Sequence, residues 1–395
     1  MKHMLLALAL TMLGALAASA APEWFRNAEV YNGWYKAWDT KVVAEKMAGI
    51  PLVVGAPADR KIVQAAHRQG TRVITYMTIY QMPMDSSYQG AKLSDHPDWV
   101  LINEKGENSR SCFWNSENYR WYEVCDNSPG YRKAVRQYVS KIMDSGIDGI
   151  FIDNAHPAAQ CFGEKLGKHK HAVPGTDNAA AWASLVREIV ALVKARNPDN
   201  IVIVNPGEPS DFLRGLADGI MIESYICTHA SNTRWHNWDR ILQWAKDWGG
   251  GPDQIVALSY IGFTPNPPRE DAFYCYACAK LSGFLWADWY SKFDDYKDLF
   301  SLHLGAPQGR MHRQGPIYYR VFEHGVVAVN PSSEAASLSL PTPGHYAVVD
   351  QFTGKLVELD KSVLRVQIPP ESGRVYVTPA TTQRQHTGLR GQVGH

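Results

Sequence analysis

The chain has 395 residues, with 40 Lys+Arg against 39 Asp+Glu. That balance excludes the basic face of an electrostatic nucleic-acid binder, and the ordinary apolar and charged content excludes a mostly disordered chain. The length suits one large domain plus a small one, and 13 Trp and 19 Tyr are enough to line a sugar-binding cleft or simply to fill a core.

Residues 1–20 read as a secretory signal peptide. Lys2 and His3 form a short basic start, Met4 to Ala17 is apolar, and Ala18-Ser19-Ala20 is a small-x-small cleavage site. The mature chain is therefore expected in the periplasm or secreted. No later stretch is long and apolar enough to span a bilayer, so no stable membrane anchor is expected. In an oxidising compartment six cysteines permit up to three disulfides. Cys112 and Cys125 flank one segment rich in Trp, Tyr and Asn and are expected to pair, while Cys161, Cys227, Cys275 and Cys278 are left unassigned. Cys275-Tyr-Ala-Cys278 has zinc or redox spacing, yet it lacks a second such pair and lies in a helical pattern, so a structural disulfide or buried thiols are expected there.

Eight short apolar runs follow in order: 29–31, 51–54, 72–76, 149–152, 201–204, 219–222, 255–258 and 283–286. Near-continuous apolar runs fit strands buried on both faces of a parallel sheet. Helical spacing fills the gaps, with one apolar face each over Tyr131 to Ser145, Asn178 to Arg196 and Trp235 to Trp248. Strand, crossover helix, parallel strand, repeated eight times, predicts a (β/α)8 TIM barrel over residues 21–310. A doubly wound open sheet would favour a Gly-rich phosphate loop after its first strand, and none is present. From 311 to 379 short strands alternate with turn signals such as Asn330-Pro331 and Thr353-Gly354-Lys355, which predicts a small C-terminal antiparallel β-sandwich. Residues 380–395 are polar and are expected to form a disordered tail.

Barrel enzymes carry their chemistry at the C-terminal ends of the strands. Asp153 follows the fourth apolar run directly, and Glu223 holds the equivalent place two strands later. Two carboxylates on one rim suit glycoside hydrolysis, one attacking or activating water and the other protonating the leaving oxygen. In that scheme Glu223 should be the carboxyl whose pKa is raised. Trp34, Tyr76, Asn154, His156, Asn205, Glu208, Tyr225, Tyr260, Trp286 and Asp288 stand at or near strand ends and are the candidate substrate contacts. Stacking a sugar face on phenol or indole uses its C–H surface, while hydroxyls find polar groups. His169-Lys170-His171 reads as a solvated loop, and no metal ligand is assigned. A nucleophile elbow, a Walker loop and a HExxH motif are all absent.

The segment Gly146-Ile147-Asp148-Gly149-Ile150-Phe151-Ile152-Asp153-Asn154 resembles the fourth-strand signature of several barrel glycoside hydrolases, and Asp218-Gly219-Ile220-Met221-Ile222-Glu223-Ser224-Tyr225 looks like their sixth-strand partner. The pattern is similar to glycoside hydrolase families related to the endo-α-1,4-polygalactosaminidase, dextranase and α-galactosidase groups. The resemblance implies a fourth-strand Asp nucleophile and a sixth-strand acid/base, hence Asp153 and Glu223, and two carboxylates acting in this way need no metal or organic cofactor. An amylase-type layout would put the acid on the fifth strand, where Glu208 is the candidate. The expectation is an exported glycoside hydrolase of a poly- or oligosaccharide that acts with retention; the alternative is a non-catalytic carbohydrate-binding protein on the same scaffold.

Overall fold

The computed structural model describes residues 21–32, 40–116, 119–156, 160–174, 177–207, 210–226, 238–251, 254–261, 268–289, 297–342 and 347–379. Trp34, Glu208, Cys227, residues 1–20 and the tail from 380 lie outside them.

In chain order the barrel region contains α1 (Glu23–Arg26), β1 (Val30–Asn32), α2 (Thr40–Lys46), β2 (Leu52–Val54), α3 (Arg60–Arg68) and β3 (Arg72–Thr78). An antiparallel ribbon follows, made of β4 (Gln81–Pro83), β5 (Arg110–Ser116) and β6 (Tyr119–Glu123). Then come α4 (Pro129–Met143), β7 (Gly149–Asp153), α5 (Asn178–Arg196), β8 (Ile201–Val204), β9 (Gly219–Ile222), α6 (Trp238–Trp248), β10 (Gln254–Ser259), α7 (Arg269–Ser282), β11 (Leu285–Trp289) and α8 (Lys297–Phe300).

The eight parallel strands pair in the ring β1-β11-β10-β9-β8-β7-β3-β2, and β1 closes it by pairing with both β2 and β11. Alternation of side chains sorts each strand into two faces. Phe25, Val30, Leu52, Ile74, Phe151 and Ile203 belong to one buried cluster inside the ring. Ile150, Ile152, Val202, Val204, Ile220 and Ile222 belong to the outer layer, against the helices.

Local chemistry sets the helix starts. Asp59 accepts from the backbone N–H of Lys61 and Ile62, Ser128 caps α4 ahead of Pro129, and Asp177 accepts from Ala180 N–H. Between β8 and β9 the described helical structure is a single 3-10 turn, Asp211–Leu213, so helix and strand do not alternate there as the eightfold pattern predicts. The eighth strand also begins later than predicted. Helix α7 runs on to Ser282, and Gly283 ends it in the left-handed conformation with φ 80°, which moves the strand to Leu285–Trp289.

Beyond the barrel lie β12 (His312–Gln314), β13 (Ile317–Phe322), β14 (Gly325–Asn330), β15 (Ala336–Pro341), β16 (Ala347–Asp350), β17 (Leu356–Glu358), β18 (Val363–Ile368) and β19 (Ser372–Val377). Six form one antiparallel sheet, β12-β13-β14-β19-β16-β17, and β15 with β18 forms a separate ribbon. Ile317, Val326, Leu338, Leu364 and Tyr376 fill the space between sheet and ribbon. Val327, Val329, Val375 and Val377 join the same cluster as the residues of α7. No helix among the described residues is long and apolar enough to cross a membrane.

The predicted Cys112–Cys125 disulfide is not formed. Cys125 is a buried free thiol, and the Cys112 side chain lies outside the described residues. Cys275 and Cys278 form no disulfide and lie buried in α7, one turn apart on the helix.

Candidate active site

Strand parity brings the two carboxylates to one place. Phe151 lies inside the ring, so Asp153, two residues on, faces the same way at the C-terminal end of β7. Met221 also lies inside, which gives the same direction to Glu223 just past β9. Strand β8 stands between them in the ring, and Ile203 inside it points Asn205 to the gap.

Asn205 joins the pair. Its side-chain nitrogen donates to Asp153 Oδ1 at 2.7 Å and to Glu223 Oε1 at 2.5 Å. Its oxygen accepts from Gly207 N–H at 3.1 Å, which fixes the amide with the nitrogen toward the acids. Two oxygens sharing one nitrogen can stand no further apart than the sum of those two contacts, about 5.2 Å. Asp153 Oδ2 accepts from Tyr76 Oη at 2.9 Å and from Asn154 Nδ2 at 3.3 Å.

Burial, and after it the Glu223 charge, raise the Asp153 carboxyl to about 6. The hydrogen bonds from the Tyr76 hydroxyl, the Asn154 backbone N–H and the Asn205 amide oppose the rise. The upward shift thus falls on Asp153, the acid expected to attack. Among the described residues neither carboxylate forms an ion pair with Lys, Arg or His.

The backbone turns sharply behind both acids. Asn154 has φ 50° and Ser224 has φ 55°, both left-handed, and Ile226 follows at φ 68°. Asn tolerates that region, whereas a β-branched residue there is strained. Such strain gathers at functional sites because the surrounding structure must hold it.

The β4–β6 ribbon and the segment before it form one wall. Tyr80, nearly buried, donates to Glu123, and its ring lies 4.5 Å from that of His156. Tyr88 Oη accepts from Thr78 N–H, and its ring meets Trp121 at 5.4 Å. The Asp153 charge reaches Tyr88 and helps raise the tyrosine. Tyr88 was not among the predicted contacts: it lies ten residues past Thr78 in a loop, where strand-end reasoning does not look.

The remaining predicted contacts divide. Tyr260 belongs to the inner cluster, with 2% exposure. Tyr225, Trp286 and Asp288 do not face the acids. Tyr225 is fully buried in the outer layer, with its hydroxyl 3.3 Å from Ser282 Oγ. Trp286 stacks on Phe300 at 4.8 Å in that same layer. Asp288, two residues further along β11, is fully buried and accepts from Ile261 N–H at 3.3 Å. The later start of β11 puts both residues within the strand, where the predicted run ended at Trp286 with Asp288 just past it.

A closed parallel barrel with two facing carboxylates at the strand ends is the layout of a barrel hydrolase, and comparison with solved structures gives the same class of fold. The chain is similar to the α-amylase of Geobacillus thermoleovorans complexed with acarbose, with 11% identity, a TM-score of 0.58, and 89% of this chain and 98% of that one covered. It is likewise similar to an Anoxybacillus α-amylase (11% identity, TM-score 0.54, 90% and 98% covered). A GH27 β-L-arabinopyranosidase of Geobacillus stearothermophilus aligns at 13% identity with TM-score 0.55, over 91% and 98%. No curated protein matches the chain in sequence. Residues 71–326, more than half the chain, match the model of hypothetical glycosyl hydrolase family 15. The protein belongs to that family and is an enzyme of the glycoside hydrolase class.

Proposed function

We propose that the protein is an exported hydrolase of a poly- or oligosaccharide that acts with retention, with Asp153 as nucleophile and Glu223 as general acid/base. The observation that carries this reading is the Asn205 bridge, which limits the nearest carboxylate oxygens to about 5.2 Å. Retaining pairs stand about 5–5.5 Å apart, whereas inverting pairs leave about 6.5–9.5 Å for a water. Export rests on residues 1–20, and a carbohydrate substrate accords with the family and with the amylase and arabinopyranosidase neighbours.

In this mechanism Asp153 attacks the anomeric carbon while Glu223 gives its proton to the leaving oxygen. Water then releases the sugar from Asp153 and returns a proton to Glu223. The hydrogen bonds from Tyr76 and Asn154 hold Asp153 Oδ2, and Asn205 keeps Oδ1 level with its partner. Above a pH of about 6 Asp153 is ionised and able to attack.

The test is proton NMR of the first-formed anomer, on a substrate found by screening polysaccharides and aryl glycosides. The product should carry the substrate's own configuration. Azide then separates the roles: with Glu223→Ala it should yield a glycosyl azide of retained configuration, and with Asp153→Ala one of inverted configuration. An inverted hydrolysis product, or an Asp153→Asn variant that keeps substantial turnover, would overturn the assignment.

A further inference from the structure

Two insertions at the barrel mouth meet in a group of side chains that the carboxylate pair does not use. Cys125 lies two residues past β6, and Cys161, His169 and His171 belong to the loop after β7. One ligand atom from each of the four lies within 4.8 Å of the others. We propose that Cys125, Cys161, His169 and His171 bind one zinc ion, in a closed site that fastens the loop after β7 to the segment after β6.

The His171 side chain is only 7% exposed. Its Nδ1 faces Glu164 Oε2 at 3.7 Å, so its Nε2 points the other way, buried and with no hydrogen-bond partner. An unpartnered buried imidazole nitrogen is costly unless something binds it. His169 Nε2 stands 3.3 Å from Cys161 Sγ, which also accepts from Gly163 N–H at 3.5 Å. A Cβ at position 163 would fall 2.2 Å from the His169 ring, so a side chain there would displace it. Backbone bonds hold the loop on both sides of the group: Phe162 N–H donates to Ile102 O at 2.8 Å, and Ala172 N–H to Asn127 O at 2.7 Å.

The donor set selects the ion. Two thiolates with two imidazoles form a tetrahedral set suited to zinc, with bonds of about 2.3 Å to sulfur and about 2.0–2.1 Å to nitrogen. Four protein ligands leave no open position, so the role is structural rather than catalytic. Glu164 opposite His171 Nδ1 is the outer carboxylate that orients such a ligand. Binding releases the two thiol protons to solvent. Tyr80, Leu101, Ile102, Cys125 and Cys161 form one buried cluster, so the ion would brace the wall that carries the Tyr80–His156 contact.

Elemental analysis of the full-length protein, purified without chelator, should find about one zinc per chain. Cobalt in its place should give the visible bands of a tetrahedral ion and an ultraviolet thiolate-to-cobalt band. Cys161→Ser and His171→Ala should each lose the stoichiometric metal. Should those variants fail to fold, the wild-type protein still decides, because chelation should lower its Tm and added zinc should restore it. A protein that binds neither ion stoichiometrically, or a Cys125–Cys161 disulfide found by non-reducing peptide mapping, would overturn the proposal. These readouts do not involve glycoside hydrolysis, so failure here leaves the carboxylate mechanism standing.

Discussion

Strands β7 and β9 carry a carboxylate at each end, and the two ends treat it in opposite ways. At the lower end Asp148 Oδ2 accepts from Val73 N–H on the neighbouring strand at 2.8 Å, with His67 and Arg72 alongside. Asp218 Oδ2 accepts from Val202 N–H at 2.9 Å, while Lys194 holds Oδ1 at 2.6 Å. Each therefore ties one strand to the next and is neutralised by a cation. Five residues on, Asp153 and Glu223 meet an amide and each other. Each lower carboxylate is met by a cation and a backbone N–H, which suits a clamp, and burial still pushes Asp218 upward against the pull of Lys194. The upper pair is left with a repulsion that a proton or a reacting carbon relieves, which suits chemistry.

The largest effect expected from breaking this contrast is at Asp153. Asp153→Asn should lower kcat by about 10³-fold or more, because the attacking group is gone. The same change should stabilise the fold above pH 6. The native carboxyl titrates near 6, above its unfolded value, so the unfolded chain ionises first and stability falls as pH rises through that interval. At roughly 1.4 kcal/mol per pH unit, removing the carboxylate should return on the order of 2–3 kcal/mol above pH 6 and little near pH 4. Denaturant melts of the variant and the wild type at both pH values check the sign.

Asp218→Asn should do the reverse. It leaves Lys194, only 16% exposed, without its anion. A loss of about 3 kcal/mol is expected, with kcat of the folded fraction unchanged. Urea midpoints read beside activity per folded molecule would expose a shared role for the two ends, if there is one.

Much of this contrast was legible before any coordinates. In Ile150-Phe151-Ile152-Asp153 the alternation alone puts the acid on the face of Phe151, and the run ending in Glu223 repeats it. Asn205 was legible only as a residue at a strand end, because the bridge depends on β8 lying between β7 and β9 in the ring. Trp286 and Asp288 were misplaced because the apolar stretch from Gly283 spans a helix cap and a strand start, and apolarity alone does not separate the two. Tyr225 was misplaced because Ser224 and Ile226 turn left-handed on either side of it, and neither residue type announces that turn. Cys125 and His171 are brought together by the meeting of two insertions, and no spacing rule reaches from one to the other.

Removing the bridge is the next smaller test. Asn205→Ala deletes the donor common to both acids and should lower kcat by about 10²-fold, as loss of a positioned donor does elsewhere. Its effect on the fold should be slight beside that of Asp218→Asn. A pre-steady-state measurement would show whether attack or release of the sugar suffers more.

Tyr76→Phe should change the rate least and the pH profile most clearly. The tyrosine hydroxyl is one of the hydrogen bonds that hold the Asp153 carboxyl down against burial and the Glu223 charge. Without it the neutral carboxyl gains, its pKa rises, and the acid limb of kcat/KM moves from about 6 to higher pH. A hydrogen bond to a charged group contributes about 1.5–3 kcal/mol, so the limb should move by roughly one to two pH units and the rate well above it by less than about tenfold. A limb that stays in place while the rate falls would mean that Tyr76 positions the sugar rather than the acid, and would move the titrating group of the profile elsewhere on the rim.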